Sequence, residues 1–318
     1  MTDIGCVGIL VEDTICGPMA ELPREGLLLA IDAMPVKAGG CAANVAIDLA
    51  KQGLAVDIVG CLGRDSAAQV LTSTLEKHRI GCSQMVYTDA YPTSKTVILL
   101  VEGQDRRYIH VFGANRALTV AQINREWVAG LKIFYLGGLF AMPGINVAEL
   151  RELLQFCRDR QIITVVDVVV PQQWTGAGEL TALLPHIDYF LPNDDEAVQI
   201  TGLTEPLAQL RYLQAAGAHT VIITQGKAGA IAARGGQYWH CGAHTAKAVD
   251  PSGSGDAFSS GIITAIHRGW DMPRMLAYAS ALGVSATRVV GTTDGVFTAA
   301  EAEAFAATHP LAVAEGLL

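Results

Sequence analysis

Short runs of apolar, largely β-branched residues alternate with helix-patterned segments along most of the chain. The helix-patterned segments span 42–52, 66–79, 146–158 and 206–216, and the apolar runs read IGCVGILV (4–11), VDIVG (56–60), KIFYLGG (132–138), IITVVDVVV (162–170), YFLP (189–192) and TVIIT (220–224). These runs are apolar on both faces of a strand, which is typical of a parallel sheet covered by helices on each side. The pattern therefore predicts an α/β fold with a doubly wound, mostly parallel sheet flanked by helices.

Two stretches interrupt this alternation. Residues 14–38 carry no helical pattern, and the runs TSKTVILLVEG (93–103) and DRRYIHVFG (105–113) predict a hairpin that turns around residues 103–105. Because strands with no helix between them do not fit a doubly wound layer, we expect one domain over residues 1–318, with a small β-strand lid inserted from about 14–38 and 94–113. Exposed sheet edges often pair across a two-fold axis, so the lid also suggests a homodimer.

Composition and charge narrow the classes of partner. The chain has 318 residues, of which 51% are hydrophobic, and a net charge of −9 with no basic run. Nucleic acids and anionic membrane surfaces demand a positive patch, so we expect neither as a partner. The N-terminus carries Asp3 where a secretory signal needs basic residues, and no apolar stretch approaches the roughly 18 residues of a membrane span. We therefore expect a cytoplasmic protein.

Cysteine spacing adds little to this picture. The seven cysteines include no C-x-x-C pair and are scattered over the chain. Their spacing indicates neither a zinc site nor a disulfide framework, and free thiols fit a reducing compartment.

The stretch AVDPSGSGDAF at residues 248–258 carries the most chemistry. The apolar positions Phe258, Ile262, Ile263 and Ile266 share one helical face, which predicts a helix that begins near Gly255 or Asp256 and ends before Gly269. Glycines before a helix let backbone N–H groups converge, and the helix end adds partial positive charge, so residues 253–255 predict an anion site. The loop matches neither the dinucleotide-binding fingerprint nor the Walker loop.

Asp256 stands at the exit of this anion loop. A carboxylate in the first turn of a helix has an ordinary structural explanation, since it interacts favourably with the helix dipole. The alternative explanation is that Asp256 has a chemical role beside a bound anion. The residues of the loop alone leave both open.

Several motifs together resemble the ribokinase-like (PfkB) carbohydrate kinases. DPSGSGDAFSSG (250–261) is similar to the family's second signature, and GGCAANVAIDLAKQG (39–53) to its N-terminal glycine signature. Asp13, GANRALT (113–119), PNDDE (192–196) and TQGKAG (224–229) also agree in order and position. The resemblance covers almost the whole length and implies a ribokinase-like fold.

The resemblance implies ATP-dependent transfer of a phosphoryl group to the hydroxymethyl group of a small sugar or sugar-like molecule. It makes Asp256 the catalytic base and the amides of Gly253, Ser254 and Gly255 an anion hole for the transferring phosphoryl group. Phosphoryl transfer needs both parts, because charge builds on the phosphate oxygens while the attacking hydroxyl loses its proton. The positions that match sugar-binding residues are Asp13, Gly39, Gly40 and Asn44.

The nucleotide side rests on further matches. The resemblance implies ATP binding at Asn193, Thr224 and Gly226, with Glu196 contacting Mg²⁺ through water. Asn193 and Glu196 also have the spacing of a capping box. Relatives that bind a monovalent cation use carbonyl groups near Asp250, so K⁺ is a further expected ligand, although Pro251 stands where threonine is usual.

Some questions stay open at this stage. Asp167 ends a strand where it either positions substrate or metal-bound water, or is purely structural. The asparagine that the family often carries in the preceding helix is missing, with Ala279 or Ser280 near its place, which leaves the adenine contacts open. A nucleoside kinase shares these signatures, and a sugar- or nucleotide-sensing protein without catalysis is the alternative from another class. The sequence does not identify the acceptor.

Overall fold

The computed structural model describes residues 2–104, 106–171, 175–245 and 248–318. Asp105, in the predicted hairpin turn, lies outside the described residues. The strands are β1 Ile4–Gly8, β2 Val11–Met19, β3 Val36–Gly39, β4 Val56–Val59, β5 Cys61–Leu62, β6 Val86–Tyr87, β7 Lys95–Val101, β8 Arg107–Val111, β9 Ile133–Leu139, β10 Ile163–Val168, β11 Tyr189–Phe190, β12 Thr220–Thr224, β13 Ala230–Arg234, β14 Gln237–Cys241 and β15 Val313–Leu317.

The α-helices connect these strands. They are α1 Cys41–Lys51, α2 Ser66–Lys77, α3 Arg125–Ala129, α4 Val147–Asp159, α5 Ala177–Leu183, α6 Asp194–Thr201, α7 Pro206–Ala215, α8 Ser254–His267, α9 Met272–Ala286 and α10 Ala299–Thr308, and short 3-10 turns lie at Gly113–Ala117, Val120–Gln122, Leu184–His186 and Gly226–Ala228. Among the described residues, no helix combines the length and the apolar composition that crossing a bilayer requires.

Among the residues that the structure describes, the main sheet has nine strands in the order β15-β14-β13-β12-β11-β10-β9-β1-β4. From β4 to β12 the neighbouring strands run parallel, and all six predicted apolar runs lie in this part. The four predicted helical segments correspond to α1, α2, α4 and α7, with ends that differ by no more than two residues. The prediction of a doubly wound, mostly parallel α/β fold is confirmed.

The antiparallel end of the sheet was not predicted. Strands β13, β14 and β15 continue the sheet beyond β12, each antiparallel to its neighbour. A tight turn joins β13 to β14 at Gly235 and Gly236, whose φ angles are 58° and 81°. Only glycine adopts two such angles in succession without steric cost, which makes Gly-Gly a frequent hairpin turn.

Helices cover both faces of the main sheet, because successive strand residues point to opposite sides. In β1, Ile4 and Cys6 pack into the core beneath α1, α2, α8 and α9, whereas Val7 packs into the core beneath α4 to α7. Both cores consist mainly of apolar side chains. The carboxyl ends of the parallel strands are left between these two helical layers.

A second, four-stranded sheet has the order β3-β2-β7-β8. It joins the two stretches that interrupt the α/β alternation: β2 pairs with β3 and, in parallel, with β7, and β7 forms the predicted hairpin with β8. Strand β2 begins at Val11, slightly before the predicted insertion. All five residues of the edge strand β8 are exposed.

Asp48 is an exception in the apolar core. This residue of α1 has no exposed surface, and neither carboxyl oxygen has a hydrogen-bond partner among the described residues. Burial raises the pKa of Asp48 well above 3.8, Asp256 raises it further, and Lys51 opposes the rise. A buried polar group without a partner destabilises a fold by about 1–3 kcal/mol.

We expect Asp48→Ala to raise the free energy of unfolding by about 1 kcal/mol at pH 8, because it removes the unpaired group. The gain should shrink toward pH 4. Above about pH 4 the unfolded state loses the proton of this carboxyl group, whereas the native state keeps it because the pKa is raised there. The free energy of unfolding of the wild type therefore falls as pH rises. Urea unfolding at both pH values measures this. Asp48→Asn is the control, since it keeps polar atoms but cannot ionise. An Asp48→Ala variant less stable than wild type at pH 8 would contradict the interpretation.

Candidate active site

The loop 250–253 leads into α8 through a left-handed glycine. Gly253 is the N-cap residue with φ 76°, and the helix begins at Ser254, one residue before the predicted start. A Cβ atom at Gly253 would lie 2.1 Å from the carbonyl oxygen of Thr292, so only glycine fits here. The N–H of Ser254 donates to the Pro251 carbonyl at 3.3 Å, and the next N–H that donates to a carbonyl of this loop is that of Ala257, to Gly253 at 2.8 Å. The amides of Gly255 and Asp256 therefore belong to the unpaired first turn, which attracts anions.

Asp250 fastens this loop to the segment after α9. Its side chain is almost completely buried. One oxygen accepts a hydrogen bond from the N–H of Ser252 at 2.9 Å, and the other from the N–H of Gly291 at 3.1 Å. Because both carboxylate oxygens hold backbone groups, a cation at this loop would rely on main-chain carbonyl groups.

Asp256 and Asn44 bring the two glycine signatures together. The Asn44 side-chain amide donates to Asp256 Oδ2 at 2.8 Å, and Asn44 Oδ1 accepts from the Thr292 hydroxyl at 2.9 Å. Burial raises the pKa of Asp256, while hydrogen bonds from Asn44 and from the Cys41 thiol oppose the rise. The carboxylate is thus held in one orientation at the mouth of the anion loop.

Asp13 lies on β2, beside the glycines that precede α1. A Cβ at Gly39 would lie 1.9 Å from Asp13 Oδ2, and one at Gly40, where φ is 88°, would lie 2.5 Å from the Ile9 carbonyl oxygen. Burial raises the pKa of Asp13 to about 7, Thr96 lowers it, and Asp256 raises it further. Asp13, Gly39, Gly40 and Asn44 therefore lie close together, near Asp256.

Strand-end acids complete this side of the cleft. Asp167, at the end of β10, accepts hydrogen bonds from the Gly138 N–H at 3.0 Å and from the Tyr135 hydroxyl at 3.2 Å. Burial raises its pKa well above 3.8, and Asp256 and Glu196 raise it further. Burial likewise raises the pKa of Glu196 to about 7, with a smaller contribution from Asp256. Carboxylates that disfavour one another's charge in this way favour a bound cation.

Cys41 was missed by the sequence analysis. It is the first residue of α1, and its Sγ atom and carboxylate oxygens of Asp167 and Asp256 all lie within 4.8 Å of one another. Burial raises the pKa of the Cys41 thiol well above 9, with Asp256 and Asp167 adding to the effect. Its position directly after Gly39 and Gly40 was the available signal.

Asn193 and Glu196 form the capping box that their spacing predicts. Glu196 donates its N–H to Asn193 Oδ1 at 2.8 Å, and Asn193 donates its N–H to Glu196 Oε2 at 2.9 Å. Asn193 also forms a parallel bridge with Thr224, so α6 and the end of β12 lie side by side. Asn193 and Glu196 therefore cap the N-terminus of α6, which is a structural role independent of any contact with ATP or metal.

A cavity of about 280 Å³ adjoins the anion loop. Its lining includes Thr224 and Gly226 on one side and Ser254 and Gly255 on the other. Phe258, Val284 and Ser280 add a mostly apolar wall. Ala279, the other candidate for this position, is fully buried. The cavity thus places Thr224 and Gly226 beside Ser254 and Gly255, whereas Asn193, the third predicted ATP-binding residue, does not line it.

A family described as pfkB family carbohydrate kinase matches residues 1–299. The chain belongs to this family. Its resemblance to ribokinase-like carbohydrate kinases is thereby confirmed, and the chain is a phosphotransferase that uses ATP to phosphorylate a sugar-like substrate.

Relatives of the pfkB family protein include enzymes for different acceptors. It is 25% identical over 260 residues to an ATP-dependent 6-phosphofructokinase of Thermoanaerobacterium thermosaccharolyticum, which covers 80% of each chain. It is also 25% identical over 297 residues to an aminoimidazole riboside kinase of Salmonella typhimurium, covering 87% of this chain and 90% of that one. A solved structure from E. coli, in complex with ATP and Mg²⁺, shares its fold with a TM-score of 0.81 and 17% identity, over 97% of this chain and 100% of the other.

Proposed function

We propose that this pfkB family protein transfers the γ-phosphoryl group of ATP to a hydroxymethyl group of a small sugar or sugar-like molecule. The hydrogen bond between Asn44 and Asp256 carries the proposal, because it joins the predicted sugar residues to the predicted base. The cavity lined by Ser254 and Gly255 adjoins the first turn of α8, which carries that base. An acceptor beside Asn44 and a nucleotide in this cavity would both lie close to Asp256, which supports transfer of a phosphoryl group between them.

Asp256 acts as the base in this proposal. It accepts the proton of the attacking hydroxyl, while the amides of Gly253, Ser254 and Gly255 stabilise charge on the transferring phosphoryl group. The left-handed φ of Gly253 and the unpaired first turn of α8 support this division of roles.

The acceptor lies against Asp13, Gly39, Gly40 and Asn44. Asp13 is buried, and a side chain at position 39 would collide with its carboxylate. Because Gly39 has none, a hydroxyl group of the ligand can approach both the Asp13 carboxylate and the backbone at Gly39. The relatives named above act on a sugar phosphate and on a riboside, which supports a sugar-like acceptor.

ATP binds in the cavity next to the anion loop, with Thr224 and Gly226 in its lining and Asn193 beside Thr224. The donor set fits Mg²⁺, which prefers carboxylate oxygens and water, because Glu196 and Asp167 both offer carboxylate oxygens and Glu196 raises the pKa of Asp167. Glu196 would hold the ion through water, and the ion would neutralise charge on the phosphates. K⁺ would bind to carbonyl groups near Asp250, whose side chain is otherwise engaged.

The four-stranded sheet is the lid of a single domain that spans residues 1–318. Asp13 lies on its strand β2, opposite Lys37 of β3, so the lid carries one wall of the acceptor site. Movement of such a sheet over the acceptor would exclude water from the reacting groups.

A substrate screen tests the proposed function. Purified protein with Mg-ATP is offered sugars and sugar phosphates in one set and adenosine, inosine and guanosine in another, with ADP formation as readout and Asp256→Asn as the blank. We expect turnover with the sugar set. Preference for nucleosides would show that the acceptor is a nucleoside rather than a sugar. Tight binding of a sugar or nucleoside without any transfer would favour a sensing protein.

The lid also forms the proposed homodimer. Its edge strand β8 exposes Tyr108, Ile109 and Val111, of which Ile109 is 64% exposed. An apolar strand edge of this kind is normally covered by another chain or element.

We expect sedimentation at micromolar concentration to show a dimer, and Ile109→Lys to shift the protein toward monomer, because a charge is introduced at the centre of the exposed strand. Val198→Lys is the matched control, since Val198 is an exposed apolar residue of α6, a helix that packs against α7 and β12. A wild-type protein that sediments only as monomer would contradict the proposal.

The cysteines support a cytoplasmic location. All seven are free in the structure, which suits a reducing compartment. We propose this location together with the function.

A further inference from the structure

Three side chains that can bind metals converge beside the proposed base. Cys41 comes from the start of α1, Asp167 from the end of β10, and Asp256 from the first turn of α8. One ligand atom of each lies within 4.8 Å of the other two. No single motif contains all three, since neighbouring members lie 126 and 89 positions apart in the sequence (167 − 41 and 256 − 167).

Neighbouring groups already orient two of the three ligands. Asn44 holds Asp256 through Oδ2, and the Gly138 N–H and Tyr135 hydroxyl hold Asp167. Hydrogen bonds of this kind to ligating carboxylates are typical of metal sites, where they fix the ligand before the ion arrives.

The mixture of ligands selects the type of ion. Mg²⁺ prefers oxygen ligands and retains water, so sulfur is a poor ligand for it. Zn²⁺ binds cysteine sulfur at about 2.3 Å and carboxylate oxygen at about 2.0–2.2 Å, and open zinc sites have three protein ligands. A tetrahedral ion with these bonds needs ligand atoms roughly 3.5 Å apart. Side-chain rotations that move the ligand atoms by about 1 Å would therefore complete the site.

We propose that Cys41, Asp167 and Asp256 form a binding site for a thiophilic divalent ion such as Zn²⁺, and that the bound ion inhibits phosphoryl transfer. Binding forms an S–metal bond and releases the thiol proton to solvent, as coordination of a thiol to a metal ion normally does. The ion binds the carboxylate of Asp256, which can then no longer accept the proton of the attacking hydroxyl. The inhibition rests on the proposed role of Asp256, whereas the binding does not.

Binding is tested separately from activity. Chelator-treated protein is titrated with Cd²⁺ and, in a second series, with Co²⁺, and the ultraviolet charge-transfer band from thiolate to metal is recorded. We expect one ion per chain with a band in the wild type, no such band in Cys41→Ser, and affinity at least about tenfold weaker in Asp167→Asn. Cys82→Ser is the matched control and should keep the band, because Cys82 is a partly buried cysteine outside the cluster. A band that persists in Cys41→Ser, or no band in the wild type, would overturn the site.

Inhibition is then measured with Zn²⁺ under excess Mg-ATP. We expect the concentration of Zn²⁺ for half-inhibition to rise at least about tenfold in Cys41→Ser, while Cys82→Ser behaves as wild type. If the ion binds at Cys41 and turnover continues unchanged, the site stands but Asp256 is not the base. If no ion binds while Asp256→Asn still abolishes turnover, the proposed function stands without the metal site.

Discussion

Asp256→Asn is expected to lower kcat by about 10³-fold while the fold and ATP affinity remain close to wild type, since loss of a general base typically costs 10²–10⁴-fold. Asparagine has nearly the same shape and keeps an oxygen that can accept the hydrogen bond from Asn44, so the loop should hold its geometry. Only the capacity to take a proton is removed. Steady-state kinetics with the best acceptor of the screen, calorimetric ATP binding and thermal melting measure the three quantities.

The pH dependence of kcat/KM supplies a second readout for this variant. Burial raises the pKa of Asp256, and only the ionised form accepts a proton. Wild-type kcat/KM should therefore rise with pH as this group ionises, and the remaining activity of Asp256→Asn should lack that rise. Asp89→Asn, at an exposed carboxylate that pairs with Arg64, is the matched control and should leave both kcat and the pH profile unchanged. Wild-type turnover in Asp256→Asn would remove the base from the proposal.

Gly253→Ala is the second change with a large expected effect. The new Cβ would lie 2.1 Å from the Thr292 carbonyl oxygen, and alanine at φ 76° adds roughly 1–2 kcal/mol of backbone strain. The loop must shift to relieve the contact, which displaces the amides of the anion hole. A displacement of about 1 Å can cost 10²-fold in rate, so we expect kcat to fall by at least about 10²-fold and the free energy of unfolding by about 2 kcal/mol or more.

Two glycines separate the causes of this effect. Gly53 has φ 78° and open space where a Cβ atom would lie, so Gly53→Ala carries the backbone strain without the contact. Gly255→Ala adds a methyl group to the anion loop without strain or contact. We expect Gly53→Ala to lose stability but keep its kcat, and Gly255→Ala to keep its stability. Equal kcat in Gly253→Ala and wild type would show that the loop does not hold the transferring group.

The parallel part of the fold was predictable because strands buried on both faces consist of apolar runs that helices interrupt. The antiparallel edge was not, since β13 is short and rich in alanine, and β15 follows the rest of the sheet by more than 70 residues (313 − 241). Only Gly235-Gly236 marked its hairpin. The helix after the anion loop was predicted to within one residue, because its apolar face and its glycines agree.

The site was predictable where residue type and motif coincide. Asp13, Gly39, Gly40, Asn44 and Asp256 do converge, as the resemblance to the carbohydrate kinases implies. Cys41 and Tyr135 escaped prediction, because a lone cysteine or a strand tyrosine has no pattern of its own and becomes informative only through its neighbours. The contacts of Asp250 with backbone amides were also hidden, since they depend on loop geometry that spacing does not encode.

The hydrogen bond between Asn44 and Asp256 joins residues 212 positions apart. During synthesis on the ribosome, the first signature (39–53) emerges long before the second (250–261). Until then the acceptor-binding residues lack Asp256 and the anion loop as neighbours. The cleft can be completed only after two further parts of the chain have left the exit tunnel. These are α8 and the segment around Thr292, whose hydroxyl donates to Asn44 and whose carbonyl group lies against Gly253. Nascent chains that end before residue 292 would therefore carry no phosphotransferase activity.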